Sequence, residues 1–258
     1  MADVVRLAQS RRVLLRAGMA ALMPLVAGGL AACGGVMASV ATPFRRGTAS
    51  TAVPVGAQRT ALTGPLTYVA LGASDAVGEG MANGRRDGWV PSLARQLPQP
   101  AKLVNLGVGG SMLRDALEAQ LPRAIQAQPD LVTVWLVVND ALSGVSLDDY
   151  GRDLNRLLGE LRTHTKATIA VGNAPYPAAH LDPWGIPDVL RRTIVGSWNR
   201  VIAGAARTHG AVLVDLYGSW KLGEHPEYIG PDGLHPTAAG YHALSEIFLK
   251  TLREQRVV

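Results

Sequence analysis

The sequence has little of what several protein classes require. It contains one cysteine among 258 residues, so no disulfide can form within the chain. Its six histidines and its carboxylates lack the spacing of metal ligands, apart from a single Asp-x-x-His, so no metal site is expected. No internal repeat is present, and the apolar run near the N-terminus is too short and too rich in glycine to favour a lasting membrane span. The chain therefore does not have the pattern of a disulfide scaffold, a metal centre or a repeat protein.

The predicted domain carries almost no net charge, because the excess of arginine lies near the N-terminus. The formal net charge is +5, from 25 Lys and Arg against 20 Asp and Glu. Seven of the arginines precede residue 65, and residues 33–64 contain no carboxylate. From residue 65 onward, 18 positive and 19 negative side chains remain. This near-neutral part gives no electrostatic reason to expect a nucleic-acid partner.

The N-terminal segment is typical of an export signal. Paired arginines in "SRRVLLR" precede the apolar run "AGMAALMPLVAGGLAA", so residues 1–32 resemble a twin-arginine signal peptide. "LAAC" resembles the lipobox of bacterial lipoproteins and predicts lipidation of Cys33; the alternative is an ordinary cleaved signal with an incidental cysteine. Residues 33–65 are then a lipidated cysteine and a flexible tether. We expect an exported protein of the cell envelope, anchored by lipid to the outer face of a bacterial membrane, or periplasmic.

Residues 66–258 have the pattern of one α/β domain. Apolar β-type runs occur at residues 67–72, 102–107, 131–138, 167–172 and 211–216. Helical patterns lie between them, most clearly at residues 147–164, at 188–210 and from about 238 to 254. Strands that are apolar on both faces and alternate with helices predict a parallel sheet covered on both sides. Four tryptophans are expected to be packing residues: Trp89, Trp184, Trp198 and Trp220.

Polar or glycine-rich clusters follow the predicted strands. Ser74 follows the first strand, Gly110 lies in "GVGGS" after the second, and Asn139 follows the third. Asp232 and His235 lie three residues apart just before the last helix. Because ligands of parallel sheets bind beyond the carboxyl ends of the strands, these residues are expected to meet at one edge.

Their side chains match the needs of a serine nucleophile. A serine hydroxyl needs a base to take its proton, and that histidine needs a carboxylate to fix its tautomer. We predict Ser74 as the nucleophile, His235 as the base and Asp232 as its partner. The oxyanion would be held by the N–H groups of Ser74 and Gly110 and by the amide of Asn139.

Taken in order, these segments resemble the GDSL, or SGNH, hydrolase family. "LGASDA" matches the nucleophile block, "NLGVGGS" the second, "VVND" the third and "DGLHPT" the last. The resemblance implies a three-layer α/β/α, flavodoxin-like fold with a five-stranded parallel sheet, and a serine esterase that needs no cofactor. Ala73 stands where the family usually has aspartate, and Val137 where it usually has glycine. Val137 is expected to narrow the site or shift the loop that presents Asn139.

Several alternatives stay beside this interpretation. Ser74 can be no more than a helix cap at a strand-to-helix turn. A dinucleotide site is excluded because Met112 stands in place of the third glycine of its motif.

The substrate is expected to be a small-molecule, glycan or lipid ester with a short or medium acyl chain. The alternatives to this esterase are an acyltransferase or a deacetylase that acts on cell-envelope glycans, or a non-catalytic anchored glycan-binding domain.

Overall fold

The structure is a computed structural model, and it describes residues 61–98, 100–176 and 186–258. The predicted N-terminal export signal, the predicted lipid site at Cys33 and most of the predicted tether lie outside the described residues, as does Trp184. No helix within the described part of the chain is long and apolar enough to span a bilayer.

A five-stranded parallel sheet forms the centre of the domain. Its strands are β1 (Leu66–Gly72), β2 (Ala101–Asn105), β3 (Leu131–Trp135), β4 (Thr168–Gly172) and β5 (Val212–Val214). Their order across the sheet is β2-β1-β3-β4-β5, and every neighbouring pair is parallel. This is the flavodoxin-like order, whose crevice opens between β1 and β3 where the strand order reverses. The predicted fold is confirmed.

Helices connect these strands. Those before β3 are α1 (Ser74–Val77), α2 (Gly84–Asp87), α3 (Trp89–Gln96), α4 (Leu113–Ala119) and α5 (Leu121–Gln126). Those after it are α6 (Val138–Leu142), α7 (Leu147–His164), α8 (Asp188–Thr208), α9 (Leu216–Ser219) and α10 (Ala238–Glu254). A 3₁₀ turn at Pro226–Tyr228 precedes α10.

The longer helices form two layers. α3 packs against α10, and α7 packs against α8, α4 and α5. Stacked rings of Trp89 and Phe248, 4.5 Å apart, join α3 to α10, while Tyr150 and Trp198, 4.8 Å apart, join α7 to α8. Such ring pairs add about 0.5–1.5 kcal/mol beyond the burial of their surface. The described tryptophans Trp89, Trp198 and Trp220 are buried, as predicted.

Local capping explains where the predicted helices begin and end. The Ser146 hydroxyl accepts a hydrogen bond from the Asp149 N–H and starts α7 at the predicted residue. Thr237 does the same for α10 by accepting from the Gly240 N–H. α8 ends two residues earlier than predicted, because Gly210 lies in the left-handed region at φ +59° and stops the helix.

The predicted third strand, residues 131–138, was too long. β3 ends at Trp135, and Val138 already begins α6. Leu136 and Val137 remain 4% and 3% exposed, and an apolar run cannot distinguish a buried strand from the turn that follows it. The prediction that helices cover both faces of the sheet does not hold for its edge strands. β2 is only partly buried, and Leu213 of β5 is 36% exposed.

Candidate active site

The predicted site residues come from segments that end at one edge of the sheet. Ser74 begins α1 directly after β1, the loop with Gly110 follows β2, and Asn139 lies in α6 after β3. Asp232 and His235 lie in the loop before α10. β1 and β3 flank the switch point of the sheet, so Ser74 and Asn139 lie at the two sides of its crevice.

Three side chains form one hydrogen-bonded row. His235 Nε2 lies 3.0 Å from Ser74 Oγ, although 161 residues separate the two in sequence. His235 Nδ1 lies 2.6 Å from Asp232 Oδ2. The row is open to solvent, because the side chains of His235 and Asp232 are 17% and 49% exposed.

The partners of His235 determine its tautomer. An ionised carboxylate only accepts hydrogen bonds, so Nδ1 carries the hydrogen and donates it to Asp232. In the neutral ring Nε2 then has a free lone pair and can accept the Ser74 hydroxyl proton. This is the arrangement that a general base requires.

Asp232 is held in its ionised form by several donors. Its Oδ1 accepts the backbone N–H groups of Leu234 and His235, each at 3.0 Å. Partial burial raises the pKa of Asp232, but these two N–H groups and the imidazole outweigh burial and leave the pKa below its ordinary value. Gly233, at φ +73°, makes the tight turn that brings the acid and the base together.

Ser74 is not a helix cap. The N-cap of α1 is Ala73, and no side chain caps this helix. Ser74 is the first helical residue, and its hydroxyl bonds to His235 instead. Gly72 permits this tight turn, because a Cβ there would lie 2.6 Å from the Cβ of Ala76. The interpretation of Ser74 as a cap is therefore wrong.

Two backbone N–H groups of the predicted site have no acceptor in the part of the chain that the structure describes. Within the described residues, the N–H groups of Ser74 and Gly110 donate to no acceptor. Gly110 is exposed and lies at φ +78°, with nothing within 4 Å of where its Cβ would be. The left-handed backbone, rather than crowding, thus favours glycine here. Within the described residues, both N–H groups are therefore unpaired.

Asn139 is fixed by one of its two amide hydrogens. Its Nδ2 donates to the Ser111 carbonyl at 2.9 Å, which ties α6 to the Gly110 loop and leaves the second N–H hydrogen to point elsewhere. Val137 lies beside it with a negative φ of −146°, so this position does not need the left-handed backbone that favours glycine. Its side chain packs in the hydrophobic core.

Sequence reasoning missed two buried side chains that join these blocks. Gln120, 1% exposed, bonds both backbone groups of Gly72 and the Ser111 hydroxyl. Asp140, 2% exposed, accepts the Leu113 N–H at 3.0 Å, and burial raises its pKa to about 6. Neither has a sequence signal, because a polar residue at a helix end looks like a surface residue until its partners are known.

The Asp75 carboxylate bonds to a neighbouring helix. It accepts the indole N–H of the buried Trp89 at 3.1 Å, and burial raises the pKa of Asp75 to about 6. This carboxylate therefore joins α1 to α3. Asp215 has a structural role as well, since it caps α9 by accepting the Gly218 N–H. Within the described ranges, no three His, Cys, Asp or Glu residues are grouped to hold a metal ion.

Several known proteins are similar to this chain in sequence or in fold. An acetylxylan esterase of Geobacillus stearothermophilus is 26% identical over 165 residues, covering 58% of this chain and 72% of that protein. The crystal structure of TesA superposes with a TM-score of 0.62 at 22% identity, covering 73% of this chain and 99% of TesA. The esterase EstA from Pseudoalteromonas sp. gives a TM-score of 0.59 at 17% identity, covering 73% and 97%. The two structural matches bear on the fold alone.

The family match spans the whole set of site segments. The sequence model of the GDSL-like lipase/acylhydrolase family matches residues 70–243, from within β1 to within α10. This range includes every segment that contributes to the Ser74–His235–Asp232 row and to the neighbouring donors. The chain therefore belongs to the GDSL-like lipase/acylhydrolase family, a family of carboxylic ester hydrolases.

Proposed function

We propose that the chain is a serine esterase in which Ser74 attacks the acyl carbonyl of a carboxylic ester. The hydrogen-bonded row from Ser74 through His235 to Asp232 carries this proposal. His235 takes the hydroxyl proton as the C–O bond forms, and it returns that proton to the leaving alcohol as the ester bond breaks. Water, activated by the same imidazole, then attacks the acyl-enzyme and releases the acid.

The remaining residues stabilise charge in this mechanism. Asp232 keeps Nδ1 of His235 protonated and stabilises the imidazolium that forms during attack. The N–H groups of Ser74 and Gly110 and the second amide hydrogen of Asn139 bind the oxyanion. Removing one donor of this kind costs about 10²–10³-fold in kcat in a well-studied serine hydrolase. No step requires a cofactor.

One observation favours a small acyl group. The 26% identical relative is an acetylxylan esterase. A glycan ester such as an acetylated sugar is therefore our first substrate class, ahead of a lipid ester. A binding domain without catalysis is less favoured, since it has no use for a serine bonded to a histidine.

Acyl-chain length is the first property to measure. With p-nitrophenyl acetate, butyrate and octanoate, kcat/KM of the full chain is expected to be highest for acetate or butyrate. Octanoate is expected to gain nothing from its longer chain, because each CH₂ that stays unburied forgoes about 0.8 kcal/mol of binding. A preference for octanoate would contradict the short-acyl proposal and favour a lipid ester.

Adding a methyl glycoside as acceptor separates hydrolysis from transfer, since transfer yields an acylated glycoside and hydrolysis only free acid.

We also propose that the protein is exported and anchored through lipid on Cys33. The support is the pattern of residues 1–33, in which paired arginines, a short apolar run and "LAAC" follow one another. In a bacterial host, metabolic labelling with an alkyne fatty acid is expected to mark the wild type but not Cys33→Ser. The unlabelled variant should leave the membrane fraction. Equal membrane association of both forms would contradict anchoring at Cys33.

A further inference from the structure

A carboxylate that the proposed mechanism does not use lies beside the catalytic base. Glu79 Oε2 is 4.0 Å from His235 Nε2, the nitrogen that faces Ser74. The same oxygen lies 3.3 Å from where a Cβ of Gly109 would be, next to the oxyanion residue Gly110. Glu79 therefore lies between the base and the oxyanion loop.

The backbone at Glu79 is fixed on both sides. Its N–H donates to the Ser74 carbonyl at 2.9 Å, and its carbonyl accepts the Tyr241 hydroxyl at 2.7 Å. Gly78, in the left-handed region at φ +74°, ends α1 and turns the chain toward the site. The carboxylate thus projects from a backbone position that the fold fixes.

The Glu79 carboxylate is free to bind a ligand. Its side chain is 55% exposed, and within the described residues its oxygens accept no hydrogen bond and pair with no arginine or lysine. Tyr241 is buried with its hydroxyl bonded to the Glu79 backbone, so it offers Glu79 no open aromatic face of the kind that cages a quaternary ammonium group. A carboxylate in this setting accepts hydroxyl donors and repels anions.

The place of this carboxylate relates it to the alcohol part of the ester. His235 Nε2 protonates the leaving oxygen, so that oxygen must come within about 3 Å of Nε2 during the reaction. Because Glu79 Oε2 is 4.0 Å from the same nitrogen, it lies within about 7 Å of the leaving oxygen. A hydroxyl on the carbon next to the ester lies about 3 Å from the leaving oxygen and donates over about 3 Å, so it reaches the carboxylate at distances up to about 6 Å.

Building on the proposed esterase function, we propose that Glu79 determines specificity by accepting a hydrogen bond from a hydroxyl next to the ester in the alcohol part. The preferred substrates are then acyl esters of polyols such as sugars. An ester of a plain aliphatic alcohol lacks this donor. Glu79 is a binding residue in this proposal and takes no part in proton transfer.

A pair of esters that differ by one hydroxyl tests this role. trans-2-Hydroxycyclohexyl acetate carries the neighbouring hydroxyl, and cyclohexyl acetate does not. The measured quantity is the ratio of their kcat/KM values, divided by the ratio of their rates of hydrolysis by hydroxide to remove intrinsic reactivity. The wild type is expected to favour the hydroxylated ester by about tenfold or more. Glu79→Gln should lower this ratio about fivefold, and Glu79→Ala should bring it near one.

Glu246→Gln is the matched control. Glu246 is exposed on α10, and the substitution makes the same change of charge away from the loop that holds His235. The control is expected to keep the wild-type ratio. An unchanged ratio in both Glu79 variants would overturn the proposal. Equal slowing of both esters would also overturn it, because Glu79 would then act through His235 and not on the alcohol.

Failure of the proposed function is a separate result. If wild type and Ser74→Ala hydrolyse cyclohexyl acetate at the same rate, the serine esterase proposal fails, and the role of Glu79 fails with it. If hydrolysis depends on Ser74 but the ratio does not depend on Glu79, only the specificity proposal fails.

Discussion

Ser74→Ala is expected to lower kcat for p-nitrophenyl acetate by about 10⁴- to 10⁶-fold, because the variant has no nucleophile and retains only ester binding and the oxyanion donors. The unfolding free energy should change by about 1 kcal/mol or less, since Ser74 caps no helix and loses one hydrogen bond to His235. Initial rates and a thermal unfolding curve measure the two quantities on the same preparation.

Ser143→Ala is the control for this substitution. Ser143 is exposed at the end of α6, in the segment that follows Asn139, and removal of its hydroxyl should leave kcat within about twofold. A Ser74→Ala variant that is destabilised but nearly as active as the wild type would point back to a capping role. It would then be necessary to find another nucleophile.

His235→Ala is expected to be as damaging as Ser74→Ala, with a loss in kcat approaching a million-fold. Without the imidazole, the Ser74 hydroxyl keeps its proton and the leaving alcohol has no acid to protonate it. Because the two residues act as one unit, the double variant should be no slower than either single variant. His242→Ala, at an exposed position on α10, should retain activity.

Two outcomes would contradict a shared role for Ser74 and His235. In the first, His235→Ala keeps more than about a hundredth of the wild-type rate, so that another group or water acts as base. In the second, the losses of the two single variants multiply in the double variant, which is the behaviour of independent sites. Either result would mean that the hydrogen bond between Ser74 and His235 is not used in catalysis.

The site was predictable wherever it depends on chain order and short-range contacts. Ser74, Gly110 and Asn139 each follow a strand, and strand ends of a parallel sheet meet at one edge. Asp232 and His235 needed no long-range prediction, because three residues of loop suffice to join their side chains. The family resemblance added the order of the blocks, and the fold that it implied is the observed one.

The parts that escaped prediction depend on three-dimensional partners. Gln120 and Asp140 look like surface residues in the sequence, yet both are buried among groups from other segments. Glu79 is exposed, and only its distance from His235 gives it a role. The end of β3 was misplaced for a related reason, because Leu136 and Val137 stay buried after the strand has stopped.

Val137 shows how a departure from the family pattern is absorbed. A valine in place of the usual glycine suggested a changed site, but the backbone of Val137 has a negative φ of −146°, so this position does not need the left-handed conformation that favours glycine. Its side chain is buried in the core. The structure therefore gives no support to the expectation that Val137 narrows the site. The acyl-chain profile must therefore be explained by the loops around the row.

The most direct test of the central claim is mass spectrometry after treatment with a fluorophosphonate, which phosphonylates an activated serine. The account predicts one adduct per chain, located on the peptide that contains Ser74. No adduct should form in Ser74→Ala, and formation should be slower by orders of magnitude in His235→Ala, where the hydroxyl is not activated. An adduct on a different residue, or an equal rate of labelling with and without His235, would contradict the account.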